Sequence, residues 1–246
     1  MYQFFVPAEN IHDNRILIEG SDVNHIKNVL RMQVGEEIAV SNGIDGKEYR
    51  CGIVALSDTV IECELRFIKE DGVELPSKIY LFQGFPKGDK MELIVQKSVE
   101  LGVFEIVPVF MKRSVVKLDA KKAANKVTRF QAIAEAAAKQ SKRAIIPRVH
   151  ECMTMKQAVE YAKELDIVLV PYELADNMLK TRQIMESLKP GQSIGFFIGP
   201  EGGIAEEEIA MLQGIDAKPL TLGKRILRTE TAGLTVLSWL VYLLEQ

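Results

Sequence analysis

The sequence predicts an α/β protein built in two parts. Its first seventy residues alternate short β-prone runs with turn residues, whereas compact apolar runs beyond Pro76 alternate with helical periodicities. A polar stretch over 69–76, closed by a proline, separates the two patterns. The expected organisation is a small β domain over 1–72 and a larger α/β domain over 73–246.

In the first part, strands are expected over 4–6, 37–40, 49–54 and 60–65. Asn42-Gly43, Asp45-Gly46 and Ser57-Asp58 supply turns between them. One helix is expected over 21–31, with Val23, Ile26, Val29 and Leu30 on one face and Ser21 as its cap. Such a pattern suits a small barrel-like domain. In the second part, strands are expected over 79–82, 106–110, 167–170 and 194–198. Uninterrupted apolar runs of this length suit strands buried on both faces of a parallel sheet. Helices are expected over 89–101, 120–140, 155–165 and 205–212, and Thr154 and Gln157 have capping-box spacing. A final helix over 230–244 is apolar nearly all round, so this core, a second copy of the chain, or both must bury it.

Bulk composition excludes several classes. Charged residues at 26% and hydrophobic residues at 47% are ordinary for a globular chain. The longest late uncharged stretch, over 231–244, falls short of the roughly 20 residues a membrane-spanning helix needs. The first residues lack the basic and apolar regions of a secretory signal. Cys51, Cys63 and Cys152 are scattered without a Cys-x-x-Cys, and His12, His25 and His150 are equally dispersed. The expectation is a cytoplasmic protein without a disulfide framework or a protein-bound metal.

The net charge of −3 hides an uneven distribution. Between Lys112 and Arg148 stand eleven cations (Lys112, Arg113, Lys117, Lys121, Lys122, Lys126, Arg129, Lys139, Lys142, Arg143 and Arg148), opposed only by Asp119 and Glu135. Gathering like charges on an otherwise acidic chain points to a local polyanion contact, with a solvated helix face as the alternative.

The residues richest in chemistry lie over 199–232. Gly199-Pro200-Glu201-Gly202-Gly203 directly follows an apolar strand and precedes a helix, the setting of a phosphate loop. No Gly-Lys-Ser or Gly-Lys-Thr ending follows, and Glu206, Glu207 and Glu208 open the helix. Three carboxylates there would repel a phosphate, so the expected ligand has hydrogen-bonding edges and little negative charge. A second glycine turn, Leu222-Gly223-Lys224-Arg225-Ile226-Leu227-Arg228-Thr229-Glu230-Thr231-Ala232, follows a strand over 219–222 and runs into the last helix. Thr229 or Thr231 is expected to cap that helix, and Glu230 suits its first turn. Two such turns at strand ends of one sheet predict a single small-molecule site, because open α/β sheets bind ligands beyond the carboxyl ends of their strands.

Together these two motifs resemble the signature of the RsmE-type 16S ribosomal RNA uracil-N3 methyltransferases of the SPOUT superfamily. The similarity covers nearly the whole chain. It includes His25-Ile26-Lys27-Asn28-Val29-Leu30-Arg31, Lys87-Gly88-Asp89-Lys90-Met91-Glu92, residues 96–102, and Glu135-Ala136-Ala137-Ala138-Lys139-Gln140-Ser141. Near the start, where members often carry arginine, this chain has Tyr2-Gln3.

The resemblance implies a PUA-like N-terminal β-barrel domain and a SPOUT-type α/β methyltransferase domain tied in a trefoil knot. It implies a homodimer with no membrane association, whose partner is the 16S rRNA of the small ribosomal subunit and whose target is a single uridine, uracil 1498 in standard numbering. It places S-adenosyl-L-methionine against Glu173, Ile198, Gly199, Pro200, Glu201, Gly202, Gly203, Leu222, Gly223, Ile226, Leu227, Arg228, Thr229, Thr231 and Ala232. Arg228 is the expected cation for the developing uracil anion, since its planar fork can engage a carbonyl or phosphate beside the donor. Glu201 and Glu230 are candidates for the base, or else cofactor contacts and helix-start residues. His25, Arg31, Lys87, Lys90, Lys139, Lys142 and Arg143 are the expected RNA contacts, with a half-buried helix position the alternative for His25. Another SPOUT enzyme acting on transfer RNA or a ribose hydroxyl, and a non-catalytic RNA-binding ribosome-assembly protein, remain as alternatives.

Overall fold

The computed structural model describes residues 1–69, 72–172 and 177–245. The chain divides into two compact units, Met1–Glu74 with Ala138–Ile146, and Leu75–Ala137 with Pro147–Gln246.

The first unit is a six-stranded sheet in the order β1-β4-β5-β6-β3-β2. These strands are β1 (Gln3–Phe5), β2 (Ile11–His12), β3 (Arg15–Glu19), β4 (Glu37–Ser41), β5 (Glu48–Leu56) and β6 (Val60–Lys69). Only β1 with β4 is a parallel pair. Alternate residues of the strands turn inward, so Ile16, Ile18, Ile38, Val40, Cys51, Ile53, Ile61 and Cys63 form one apolar cluster with Phe4, Val23 and Ile26. Strands β2 and β3 were not expected. In β3, Arg-Ile-Leu-Ile-Glu puts three apolar residues side by side, and the alternation exists only in burial, with Ile16 and Ile18 inside.

The expected helix after it begins as α1 (Ser21–Asn24) and continues as a π-helical turn, His25–Val29. Ser21 is the first helical residue and not its cap; Gly20, at φ +73°, holds the capping position without a side-chain bond. Arg31 takes φ +54° just beyond, where Met32 N–H closes on the Ile26 carbonyl.

The segment Ala138–Ile146 joins this unit through Arg143. Its guanidinium is 3% exposed and hydrogen-bonds Glu74 at 2.6 Å, while Gln3 Nε2 donates to its carbonyl at 2.8 Å. Glu74 also accepts the N–H groups of Ala144 and Ile145. Lys142, at φ +60°, reverses the chain at the helix end, with Arg143 N–H donating to the Ala138 carbonyl.

The second unit is a seven-stranded, all-parallel sheet in the order β10-β8-β7-β12-β11-β13, with β9 also beside β8. Its strands are β7 (Lys78–Gly84), β8 (Glu105–Phe110), β9 (Arg148–Val149), β10 (Met153–Thr154), β11 (Ile167–Pro171), β12 (Ser193–Ile198) and β13 (Lys218–Leu220). Its helices are α2 (Lys90–Glu100), α3 (Ala120–Ser141), α4 (Met155–Ala162), α5 (Met178–Glu186), α6 (Glu206–Gln213) and α7 (Thr229–Leu244). Both faces of the central strands are buried. Phe82 and Phe197 stack at 4.3 Å on one face, while Ile79, Leu81, Ile194 and Phe196 fill the other.

The expected capping box is present, with Thr154 and Gln157 bonding each other's backbone N–H at the start of α4. Helix α5 was not expected. Helix α7 buries Val236, Leu237, Leu240 and Leu244, but leaves Tyr242 84% exposed.

Candidate functional site

Strands β12, β11 and β13 lie side by side and parallel, so their carboxyl ends open at one edge of the sheet. The turn over 199–203 leaves β12, and the turn over 221–228 leaves β13. The end of β11 stands between them, where Tyr172 N–H donates to the Leu220 carbonyl. Glu173 follows at once and lies outside the described residues.

Thr229 joins the two turns. Its hydroxyl donates to the Gly199 carbonyl at 2.6 Å and accepts from Gln83 Nε2 at 2.9 Å. Gln83, at the end of β7 and 0% exposed, also donates to the Gly84 carbonyl at 3.0 Å. Both donations come from its NH2 group, so the direction of the relay is set: Gln83 gives to Thr229, and Thr229 gives to Gly199. Thr229 therefore does not cap α7 as expected. Arg228 holds the capping position without a side-chain bond, and the threonine hydroxyl is spent on the neighbouring turn. Thr231 is exposed, and its carbonyl accepts from Thr235.

The turn at 199–203 is closed by Gly203 N–H donating to the Pro200 carbonyl at 2.8 Å. Pro200 packs against Gly84 so closely that a Cβ at position 84 would fall 2.6 Å from Pro200 Cδ and 2.7 Å from its nitrogen. Gly84 is the only side chain size compatible with this approach.

Glu201 reaches across to the start of α2. It accepts from Lys90 Nζ at 2.8 Å and from Lys87 N–H at 3.1 Å. Burial pushes its carboxyl up, but the Lys90 hydrogen bond and the backbone N–H groups outweigh this and hold it below the usual carboxylate range. Lys90 Nζ also stands 3.8 Å from Glu230 Oε2, which is buried and has no hydrogen-bond partner among the described residues. Lys87 and Lys90, expected on RNA, thus meet Glu201 through backbone and side chain respectively.

The carboxylates opening α6 divide their work. Glu208 accepts from the N–H groups of Ala205 and Lys112, and Glu207 pairs with Lys112 Nζ at 2.7 Å. The second turn is open to solvent: Gly223 takes φ +102°, Ile226 is 92% exposed, and Arg228 is exposed with no side-chain partner among the described residues. Leu222 and Leu227 are half-buried, as are Glu230 and Ala232. Ile198 is buried beneath, its Cγ1 3.7 Å from where a Cβ on Gly233 would lie. Among the described residues no group of His, Cys, Asp and Glu is arranged to hold a metal.

A family model for an RNA methyltransferase domain matches residues 73–241, and one for an RNA methyltransferase PUA domain matches residues 18–66. The chain is 40% identical over 231 residues to ribosomal RNA small subunit methyltransferase E of Bacillus subtilis (strain 168), covering 93% of this chain and 90% of that one. The chain belongs to the ribosomal RNA small subunit methyltransferase E family. The Mesomycoplasma hyopneumoniae member is 31% identical, covering 97% of this chain and 98% of its own. Among solved structures, the Neisseria gonorrhoeae enzyme bound to S-adenosyl methionine superposes with a TM-score of 0.84 at 32% identity, covering 99% and 98% of the two chains. A putative methyltransferase from Legionella pneumophila in complex with the same cofactor gives 0.83 at 32% identity, covering 98% and 96%. The β-rich domain is PUA-like, and the parallel-sheet domain is of the SPOUT methyltransferase type.

Of the expected RNA contacts, Lys87 and Lys90 belong to the second unit and the others to the first. His25 and Arg31 are exposed, so the half-buried alternative for His25 does not hold; its ring lies edge-on to Phe4. Lys142 is exposed, and Lys139 pairs with Asp22 at 3.4 Å. Arg143 is a correction, because its guanidinium is buried against Glu74 and cannot also reach RNA. Sequence reasoning missed Gln83 and Gly84 at the site. Both close an ordinary apolar strand, and nothing local marks them.

Proposed function

We propose that this protein transfers the methyl group of S-adenosyl-L-methionine to N3 of one uridine, uracil 1498, in the 16S rRNA of the small ribosomal subunit. The reading rests on family membership together with one observation: two turns, tied by the Thr229–Gly199 bond, present backbone edges beside apolar side chains, and the first of them has no Gly-Lys-Ser or Gly-Lys-Thr ending. Exposed Ile226 and half-buried Leu222 and Leu227 suit an adenine face, and the glycine turn offers amide edges to a ribose or amino-acid group. The donor fits this lining because it carries no phosphate, and when bound it supplies an electrophilic methyl group.

The chain's own residues then hold the base and manage its charge. Uracil N3 becomes nucleophilic once its proton is lost, which leaves negative charge on the ring carbonyls. Arg228 carries a guanidinium without a described partner and stands at the head of α7, where it can meet that charge. Of the two carboxylates, Glu201 is a poor proton acceptor, since Lys90 and Lys87 already stabilise its ionised form. Glu230, whose buried Oε2 has no hydrogen-bond partner among the described residues and stands 3.8 Å from the same Lys90, is the other candidate for the base. Pairing in a duplex would occupy N3, so the target base must be unpaired or extruded.

The protein is read as a cytoplasmic homodimer, with the open face of α7 around Tyr242 available to a second copy. Incubating the protein and labelled donor with small subunits lacking the modification, then identifying the nucleoside by mass spectrometry, tests the reading. N3-methyluridine is the expected product; a ribose-methylated nucleoside or a methylated transfer RNA would overturn it, and donor-independent RNA binding alone would make it a non-catalytic RNA-binding protein.

A further inference from the structure

We infer that the segment joining β8 to α3 is the edge on which the RNA backbone docks beside the target base, with Arg113 linking a phosphate to the glycine turn. This rests on the RNA-methyltransferase reading above and names the side of the site from which the RNA enters.

The segment is pinned to the site at Lys112 and Arg113. Arg113 Nη1 donates to the Gly202 carbonyl at 3.1 Å. A Cβ on Gly202 would lie 3.0 Å from Arg113 Cβ and 3.2 Å from its carbonyl oxygen, so backbone meets backbone there. Lys112 N–H and Nζ are held by Glu208 and Glu207 at the start of α6.

The six exposed cations from Lys112 to Arg129 fall into two sets. Lys112, Lys122 and Arg129 are neutralised, by Glu207, Asp119 and Glu92 respectively. Arg113, Lys117 and Lys121 are exposed and have no carboxylate partner among the described residues. Helix stability does not favour Lys121, which lies in the first turn of α3, where a cation opposes the helix dipole; the one carboxylate there, Asp119, is taken up by capping the Lys122 N–H and pairing with Lys122 Nζ. A guanidinium carries five N–H donors, and the Gly202 carbonyl engages one side of the fork. The remaining donors suit the paired oxygens of a phosphate, and two further lysines along the chain suit the phosphates next to it. A polyanion supplies such a row; the donor, which has no phosphate, does not.

The experiment uses the full chain and a labelled single-stranded uridine-rich RNA oligonucleotide, with binding measured across a salt series. For Lys117→Ala/Lys121→Ala, which leaves Arg113 and the turn intact, the slope of log affinity against log salt should fall in magnitude by about 1.4, at roughly 0.7 per lost phosphate contact. Donor affinity by calorimetry should stay within twofold in that double variant, and adding Arg113→Ala should take the loss of slope to about 2. Arg113→Lys keeps the charge but not the fork, and should raise KM for small subunits several-fold at nearly constant kcat. An unchanged slope in the double and triple variants overturns the docking edge and makes the strip a solvated face. A wild-type protein that methylates no RNA sinks the function itself, whereas wild-type turnover with unaffected variants sinks only this inference.

Discussion

Thr229 Oγ1 and the carbonyl oxygen of Gly199 are 2.6 Å apart, and through this bond the first residue of α7 holds the turn that leaves β12. Because Gln83 donates to the same hydroxyl from within the sheet, the two turns and β7 form one hydrogen-bonded unit. Thr229→Val keeps the shape and removes both bonds, leaving the Gly199 carbonyl without its partner. The cost of an unmade buried hydrogen bond is about 1–3 kcal/mol. Donor affinity measured by calorimetry should therefore fall roughly tenfold or more, and Thr229→Ser should restore it. Equal affinities for the valine and serine variants would show that the bond does not shape the site.

Gly84→Ala tests the approach of β7 to the turn. Its Cβ would meet Pro200 backbone and ring, neither of which can rotate away. We expect a loss of about 1–3 kcal/mol in unfolding free energy, the usual range for overpacking, together with weakened donor binding. Wild-type stability in urea would overturn the close contact.

Arg228→Ala separates chemistry from binding. Methyl transfer should drop by about two to three orders of magnitude, as for loss of a group that stabilises developing negative charge, while calorimetric donor affinity stays within a few-fold. Undiminished transfer would remove Arg228 from the reaction.

Arg143→Ala should act on stability. It strands Glu74, whose carboxylate also holds the N–H groups of Ala144 and Ile145. Breaking a buried pair from one side costs about 3–5 kcal/mol, visible as a lower Tm, whereas the salt dependence of RNA binding should not change. A flattened salt slope with an unaltered Tm would return Arg143 to the RNA contacts.

A pH dependence follows from Glu105 at the start of β8, at the sheet edge opposite the two turns. Burial pushes its carboxyl up, but hydrogen bonds from His150 at 2.5 Å and Tyr161 at 2.6 Å, with the charges of His150 and Arg148, bring it below its ordinary value. A depressed carboxylate stabilises the fold above its unfolded value of 4.5 and loses that contribution as pH falls through the lower folded value. Urea unfolding between pH 7 and pH 3 should show a decline in this range that Glu105→Gln flattens. Parallel curves for the two proteins would refute the assignment.

Much of this protein was legible in its sequence, because the informative signals were local. Apolar runs announced the parallel strands β7, β8, β11 and β12, and two glycine motifs after strands marked both turns of the site. Each depends on residues within a few positions of one another, where backbone sterics and side-chain periodicity operate directly. Strand β3 escaped because its alternation becomes visible only when β6 pairs with it and buries Ile16 and Ile18. The tertiary structure alone brought Gln83 to Thr229, 146 residues away, and Arg143 to Glu74, 69 residues away. No local rule ranks one buried glutamine or one arginine in a basic run above its neighbours. Their roles are set by desolvation and by the partners the fold delivers, which turned Arg143 from a surface cation into a buried structural one and Thr229 from a helix cap into the tie between two turns.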